Sequence, residues 1–122
     1  MTASTKRIRI AAGQGFWGDW IEAPSRQVEG GPIDYLVLDY LAEVTMSILQ
    51  KQRSRDPAMG YARDFVTQVE RILPAIATRG VRVISNAGGV NPRACAAEVR
   101  DAADRAGEGK QIRISLVSCD DL

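Results

Sequence analysis

Four short segments carry most of the residues in this chain that could hold a ligand or move a proton. They are Gly13-Gln-Gly-Phe-Trp-Gly18, Asp39-Tyr-Leu-Ala-Glu43, Asn86-Ala-Gly-Gly-Val-Asn-Pro92 and Cys119-Asp-Asp121. Asp39, Glu43, Asp120 and Asp121 are acidic groups that, if gathered at one edge, would raise one another's pKa or bind a hard cation such as Mg²⁺. The plainer reading is that Asp39 or Glu43 caps a following helix and the terminal pair is solvated. No metal is assigned. Gly88-Gly89 leads into Asn91-Pro92, a helix start in which bare backbone N–H groups and the helix terminus suit an anion. Arg93 in the first turn adds a bidentate donor for carboxylate or phosphate. The alternative is an ordinary capped strand-to-helix turn.

Gly13-x-Gly15-x-x-Gly18 matches the spacing of a dinucleotide fingerprint, and Asp39 falls about 20 residues on, where a ribose-binding acid belongs. Phe16 and Trp17 are bulky where a pyrophosphate must come close, and Pro24 shortens the helix that would receive it. A tight turn is the competing reading. Trp17 and Trp20 either line a pocket or pack the short helix on its sheet. Cys95 lies on an apolar helix face and reads as core.

Composition removes several classes. The chain has 122 residues, 45% hydrophobic and 25% charged, with 16 basic and 15 acidic side chains and a formal net charge of +1. That is an ordinary soluble domain with no electrostatic footprint for nucleic acid or an anionic membrane. There is no histidine, so no His-containing triad or His-ligated zinc can be built from this chain. Without one to activate it, Cys119 is a poor candidate nucleophile. Two cysteines far apart make no disulfide framework. The start lacks a signal peptide's apolar stretch, and no apolar run approaches the ~20 residues of a membrane span. The expectation is a cytoplasmic protein.

The elements that must position these groups follow from periodicity. Ile8, Ile10 and Ala12 alternate with Arg7 and Arg9, which predicts a first strand. A short helix is expected between about Asp19 and Val28. Tyr35 to Asp39 is an apolar run suited to a strand buried on both faces. Leu41, Val44, Thr45, Ile48 and Leu49 recur at helical spacing. Phe65, Val66, Val69, Ile72, Leu73 and Ile76 form the clearest helical stripe, with Pro74 inside it and Gly80 ending it. Val81 to Ser85 is the next strand. The helix from Pro92 buries Cys95, Val99, Ala102, Ala103 and Ala106, and Gln111 to Val117 is a fourth strand. The fold class is therefore α/β, a parallel sheet of about four strands in β-α-β-αα-β-α-β order, Rossmann-like in three layers. Residues 1–122 form one α/β domain or a fragment of one, since the arrangement looks like the first part of a larger α/β domain. Residues 1–5 are expected to be disordered.

In such sheets ligands bind at the carboxyl ends of the strands, and all four segments converge there. That placement makes Asp39, Glu43, Asn86 and Asp120 the candidate catalytic residues. Gly13, Gln14, Gly15, Gly88, Gly89, Asn91 and Arg93 are the candidate binding residues. The ligand is a small-molecule metabolite bearing an anionic group. No cofactor is assigned, no nucleic-acid or membrane partner is expected, and a homo-oligomer is open. A Rossmann-type nucleotide module using Gly13, Gly15, Gly18 and Asp39 is the alternative. A truncated, non-catalytic fragment is another.

Taken together, Gly13 to Asp19, Asp34 to Met46, Asp56 to Phe65, Asn86 to Arg93 and Asp120-Asp-Leu122 resemble the N-terminal portion of the acyclic terpene utilisation family, the AtuA-like proteins. The resemblance runs over nearly the whole chain from Lys6. It implies a role in bacterial breakdown of acyclic terpenes such as citronellol and geraniol, and of related branched acids, with acyl-CoA thioesters as intermediates. It also implies a protein several times longer. Cys119 stands where glycine is expected before the paired aspartates, and Pro24 falls in a helix that is usually unbroken. The first would tighten the loop to Asp120, and the second would alter the turn at Gly13.

Overall fold

The chain alternates strand and helix as its glycines and prolines predict, until the last element. The computed structural model describes residues 5–118. In order they form β1 (Ile10–Gln14), α1 (Ala23–Glu29), β2 (Tyr35–Leu38), α2 (Glu43–Arg55), α3 (Arg63–Arg79), β3 (Arg82–Ser85) and α4 (Pro92–Arg105). The apolar stripe seen in the sequence is the buried side of α3, with Val69, Ile72, Leu73 and Ile76 inside and Pro74 on the exposed side. Gly80 ends that helix at φ +69, a left-handed value that favours glycine. Pro92 opens α4 and the Asn91 side chain accepts from the Ala94 amide at 3.4 Å.

The three strands are parallel and lie in sequence order, β1-β2-β3. Leu36 pairs with Ala11 and Val83, and Leu38 pairs with Gln14 and Ser85. The register shifts between Ala12 and Gln14. Gly13 is therefore a bulge, and it changes which way the next side chain points. Ala12 faces away from the helices, and without the extra residue Gln14 would face away with it. With it, Gln14 turns toward the helical layer and is only 4% exposed. Glycine is required at the bulge because a Cβ there would lie 2.7 Å from Leu38 Cδ2 and 3.2 Å from the Pro24 Cα.

One core forms between the sheet and the helices. It joins Val28 of α1, Leu36 and Leu38 of β2, the buried face of α3, and Val99, Ala102 and Ala103 of α4. The opposite face of the sheet is open, with Ile10 68% and Ile84 54% exposed. Four expectations are corrected here. The described residues make two layers, not three, because right-handed crossovers that always step the same way put their helices on one side. β2 is consequently buried on one face and half-buried on the other. The fourth expected strand is absent from the described residues. Gln111 to Val117 leaves a turn closed on the Glu108 carbonyl and places Ile112 and Ile114 against the core, but it joins no ladder among the described residues. Its side chains find apolar neighbours without its backbone pairing to β3. Ala106, expected inside, is exposed just beyond the end of α4.

Candidate functional site at the strand ends

The carboxyl ends of the strands bring Gln14, Asp39 and Asn86 together. The Asp39 amide donates to the Gln14 carbonyl at 3.0 Å. The Asn86 side chain spans from β3 to β2. Its Nδ2 donates to Asp39 Oδ1 at 2.7 Å, and its Oδ1 accepts from the Tyr40 amide at 2.9 Å. Asp39 Oδ1 also accepts from the Leu41 amide at 3.2 Å. One carboxylate oxygen is thus tied on two sides, while Asp39 and Asn86 both stay exposed. Among the described residues no protein group bonds to Asp39 Oδ2. Such a carboxylate is oriented from behind and free in front, so it can accept a hydrogen bond or a proton from something bound at the rim.

A buried polar triad lies beneath it. Gln68, 1% exposed, sits in the apolar stripe of α3 and donates from Nε2 to Gln14 Oε1 at 3.0 Å. Its Oε1 accepts from the Tyr40 hydroxyl. Gln14 Nε2 donates onward to the Phe16 carbonyl at 2.8 Å. No buried side-chain nitrogen or oxygen among the described residues is left without a partner. Burial holds the Tyr40 phenol far above its ordinary pKa, with Asp64 and Cys95 adding to the effect, so Tyr40 is a permanent donor. Gln68, Tyr40 and Tyr61 were not singled out from the sequence. The signal for Gln68 was present, since a polar residue between Phe65 and Ile72 on that stripe has to be satisfied inside.

The second loop predicted to bind is occupied with its own packing. Gly89 lies at φ +55, and its N–H donates to the Asn86 carbonyl at 3.2 Å. The amides of Val90 and Asn91 donate to Gly60 and Gly88. Asn91 Nδ2 bridges the carbonyls of Pro57 and Met59 at 3.0 and 2.9 Å, which stitches this turn to the loop before α3. Arg93 is exposed in the first turn of α4. Glu43 is exposed at the start of α2, and among the described residues no hydrogen bond joins it to Asp39 or Asn86. Gly15 is exposed in the turn after β1, with its amide on Asp19 Oδ2 at 3.0 Å. Cys119, Asp120 and Asp121 lie outside the described residues. Among the described residues no three acidic or sulfur side chains are grouped to hold a metal, and no helix is long and apolar enough to cross a membrane.

A polar cleft of ≈ 800 Å³ on the helical side is lined by Trp17, Met59, Tyr61, Asp64, Glu98 and Arg105, among others. Trp17 Nε1 donates to Asp64 Oδ2 at 3.3 Å, which fastens the turn after β1 to the start of α3. Burial, then the charge of Glu98, keeps the Tyr61 phenol protonated. Burial likewise pushes the Cys95 thiol up to about 11, so it is inert at neutral pH. Asp39 and Asn86 do not line this cleft.

The fold and rim define an α/β protein with a one-sided parallel sheet and a polar row across its strand ends. The family profile described as acyclic terpene utilisation family protein AtuA matches residues 8–122, and the chain belongs to that family. No curated protein and no solved structure matches it at a significant level.

Proposed function

We propose that this protein binds a carboxylated or acyl-thioester metabolite of branched-chain, acyclic-terpene type across the carboxyl ends of β1, β2 and β3. The observation that carries the reading is the pair Asn86–Asp39, in which a side chain from one strand end holds the carboxylate of the next at 2.7 Å and no described residue bonds to its outer oxygen. Gln14 and Gly15 border this group on one side. Arg93 is an exposed cation in the first turn of α4, the helix that follows β3, and its chemistry suits the ligand's anionic group. Family membership supports the metabolic setting. Asp39 is assigned to accept a hydrogen bond or proton from the ligand, and Asn86 to orient it. Asp120 and Glu43 are candidates to join them. No cofactor is part of the reading.

Thermal stabilisation by 3-methylbutanoate and its CoA thioester tests it. A ligand at 100 times its Kd stabilises by about 2.7 kcal/mol. For a domain of this size that raises Tm by roughly 10 °C. The wild type is expected to shift, and Asp39→Asn and Asn86→Ala to melt normally but lose the shift. An undiminished shift in both variants refutes the site.

A further inference from the structure

Phe16 is a large apolar residue outside the core. It is 61% exposed, two residues past the end of the β1 pairing. Isolated exposed apolar side chains are common and need no explanation. What sets Phe16 apart is how firmly its backbone is fixed. Its carbonyl accepts from Gln14 Nε2 at 2.8 Å and from the Asp19 amide at 3.1 Å. The residue before it is bonded to Asp19 Oδ2, and the residue after it, through its indole, to Asp64. The first of these bonds is anchored in the core, because Gln14 is oriented by Gln68. A turn so constrained fixes the backbone from which the ring projects, and a side chain carried on a fixed backbone loses less freedom on apolar recognition. The same rim carries a second exposed apolar group, Val44 at 71%, in the first turn of α2 just past Asp39.

We propose that Phe16 contacts the hydrocarbon part of the ligand at the rim, and that Gln68, acting through Gln14, is the positioning residue that holds it there. This rests on the metabolite site proposed above and adds which end of that site reads the alkyl chain. Asp39 and Asn86 serve the polar end. Phe16 distinguishes a long or branched alkyl group from a short one.

The test is the dependence of affinity on chain length, measured by tryptophan fluorescence with butanoate, hexanoate and octanoate, well below each variant's Tm. A fully buried methylene is worth about fourfold in affinity. A chain lying on one ring face should gain roughly twofold per methylene. Phe16→Ala is expected to flatten that slope while leaving butanoate within about twofold of wild type. Phe16→Leu should retain most of the slope. Gln68→Leu should flatten it as Phe16→Ala does, an effect that loss of stability alone does not produce. Asp39→Asn should change the affinity for all three ligands by the same factor and keep the slope. An unchanged slope in Phe16→Ala overturns the inference and leaves the site standing. Failure of the wild type to bind any member removes the site itself and the inference with it.

Discussion

Replacing Gln68 by leucine tests the link between core and rim, because it removes polar atoms without opening a cavity. The two side chains are similar in size, and Gln68 is 1% exposed at the middle of the α3 packing surface. The change deletes the donor to Gln14 Oε1 and the acceptor of the Tyr40 hydroxyl. Gln14 and Tyr40 are themselves 4% and 1% exposed, so water does not replace what is lost. Each orphaned buried group costs about 1–3 kcal/mol. The added leucine recovers part of this, leaving a net loss of about 2–4 kcal/mol, a large share of a typical domain's stability. Urea unfolding followed by tryptophan fluorescence would show a lower midpoint with an unchanged slope. The sharper prediction concerns Gln68→Leu combined with Tyr40→Phe. Removing the orphaned hydroxyl as well should restore about 1 kcal/mol, so the double variant is more stable than Gln68→Leu alone. A loss below about 0.5 kcal/mol for Gln68→Leu, or full additivity in the pair, would refute the triad.

Two further outcomes follow from packing and titration. Gly89→Ala should cost about 2–4 kcal/mol in the same unfolding assay, because left-handed backbone is unfavourable for alanine and its Cβ would lie 2.5 Å from Leu49 Cδ1 and 2.7 Å from the Gly60 carbonyl. Gly15→Ala, whose Cβ would meet nothing closer than Asp19 Oδ2 at 3.5 Å, should stay within about 0.5 kcal/mol; equal costs would contradict the two environments. At alkaline pH the buried Cys95 thiol resists ionisation until about 11, against 9.0 for a free thiol. Its contribution is complete below pH 9 and lost as pH rises toward 11, since only the unfolded chain releases the proton in that window. Tyr40 and Tyr61 are raised in the same direction. Stability should therefore fall by on the order of 2 kcal/mol between pH 9 and 11. Cys95→Ala should reduce that fall, and an identical profile in the variant would rule out the thiol as a source.

Legibility in the sequence divides along a physical line. Burial leaves a period, so the α3 stripe, the inner face of α4 through Ala103 and the Asn91-Pro92 start were readable. The strand ends were readable too, because turn residues punctuate them, and that placed Asp39 and Asn86 at one rim. The direction a strand faces was not. Ile8, Ile10 and Ala12 mark β1 by alternation, yet they line the open face, and Ala11 and Gly13 face the helices. A period of two cannot say which face is covered, and the bulge at Gly13 then reverses the phase for Gln14. The stretch from Gln111 has a strand's alternation and no strand's pairing, because alternation records side-chain environment alone. Gly88 and Gly89 looked like an anion cradle; their loop also needs small residues to pack, since a Cβ on Gly88 would fall 2.7 Å from Pro92. Composition does not separate those two uses of glycine.

The turn after β1 bears on which ligand the rim suits. A doubly wound sheet reverses its order, and the crevice at the reversal is where a dinucleotide lies. β1, β2 and β3 follow one another among the described residues, as the first three strands of such a sheet also do, so the turn after β1 and not the strand order is what bears on a dinucleotide. α1 begins only at Ala23, beyond the turn that ends at Gly18, and has seven residues, proline at its start and no side-chain cap. The first glycine of the fingerprint is spent on the bulge that brings α1 close to the sheet. A pyrophosphate would find little helix terminus there to receive it. The same geometry lays the strand ends side by side, with Gln14, Leu38 and Ser85 in register and Gly15, Asp39 and Asn86 next in line. A row of that kind favours an elongated ligand lying across the strands. One with a polar end near Asp39 and Asn86 and an alkyl end near Phe16 would use the two ends of that row together.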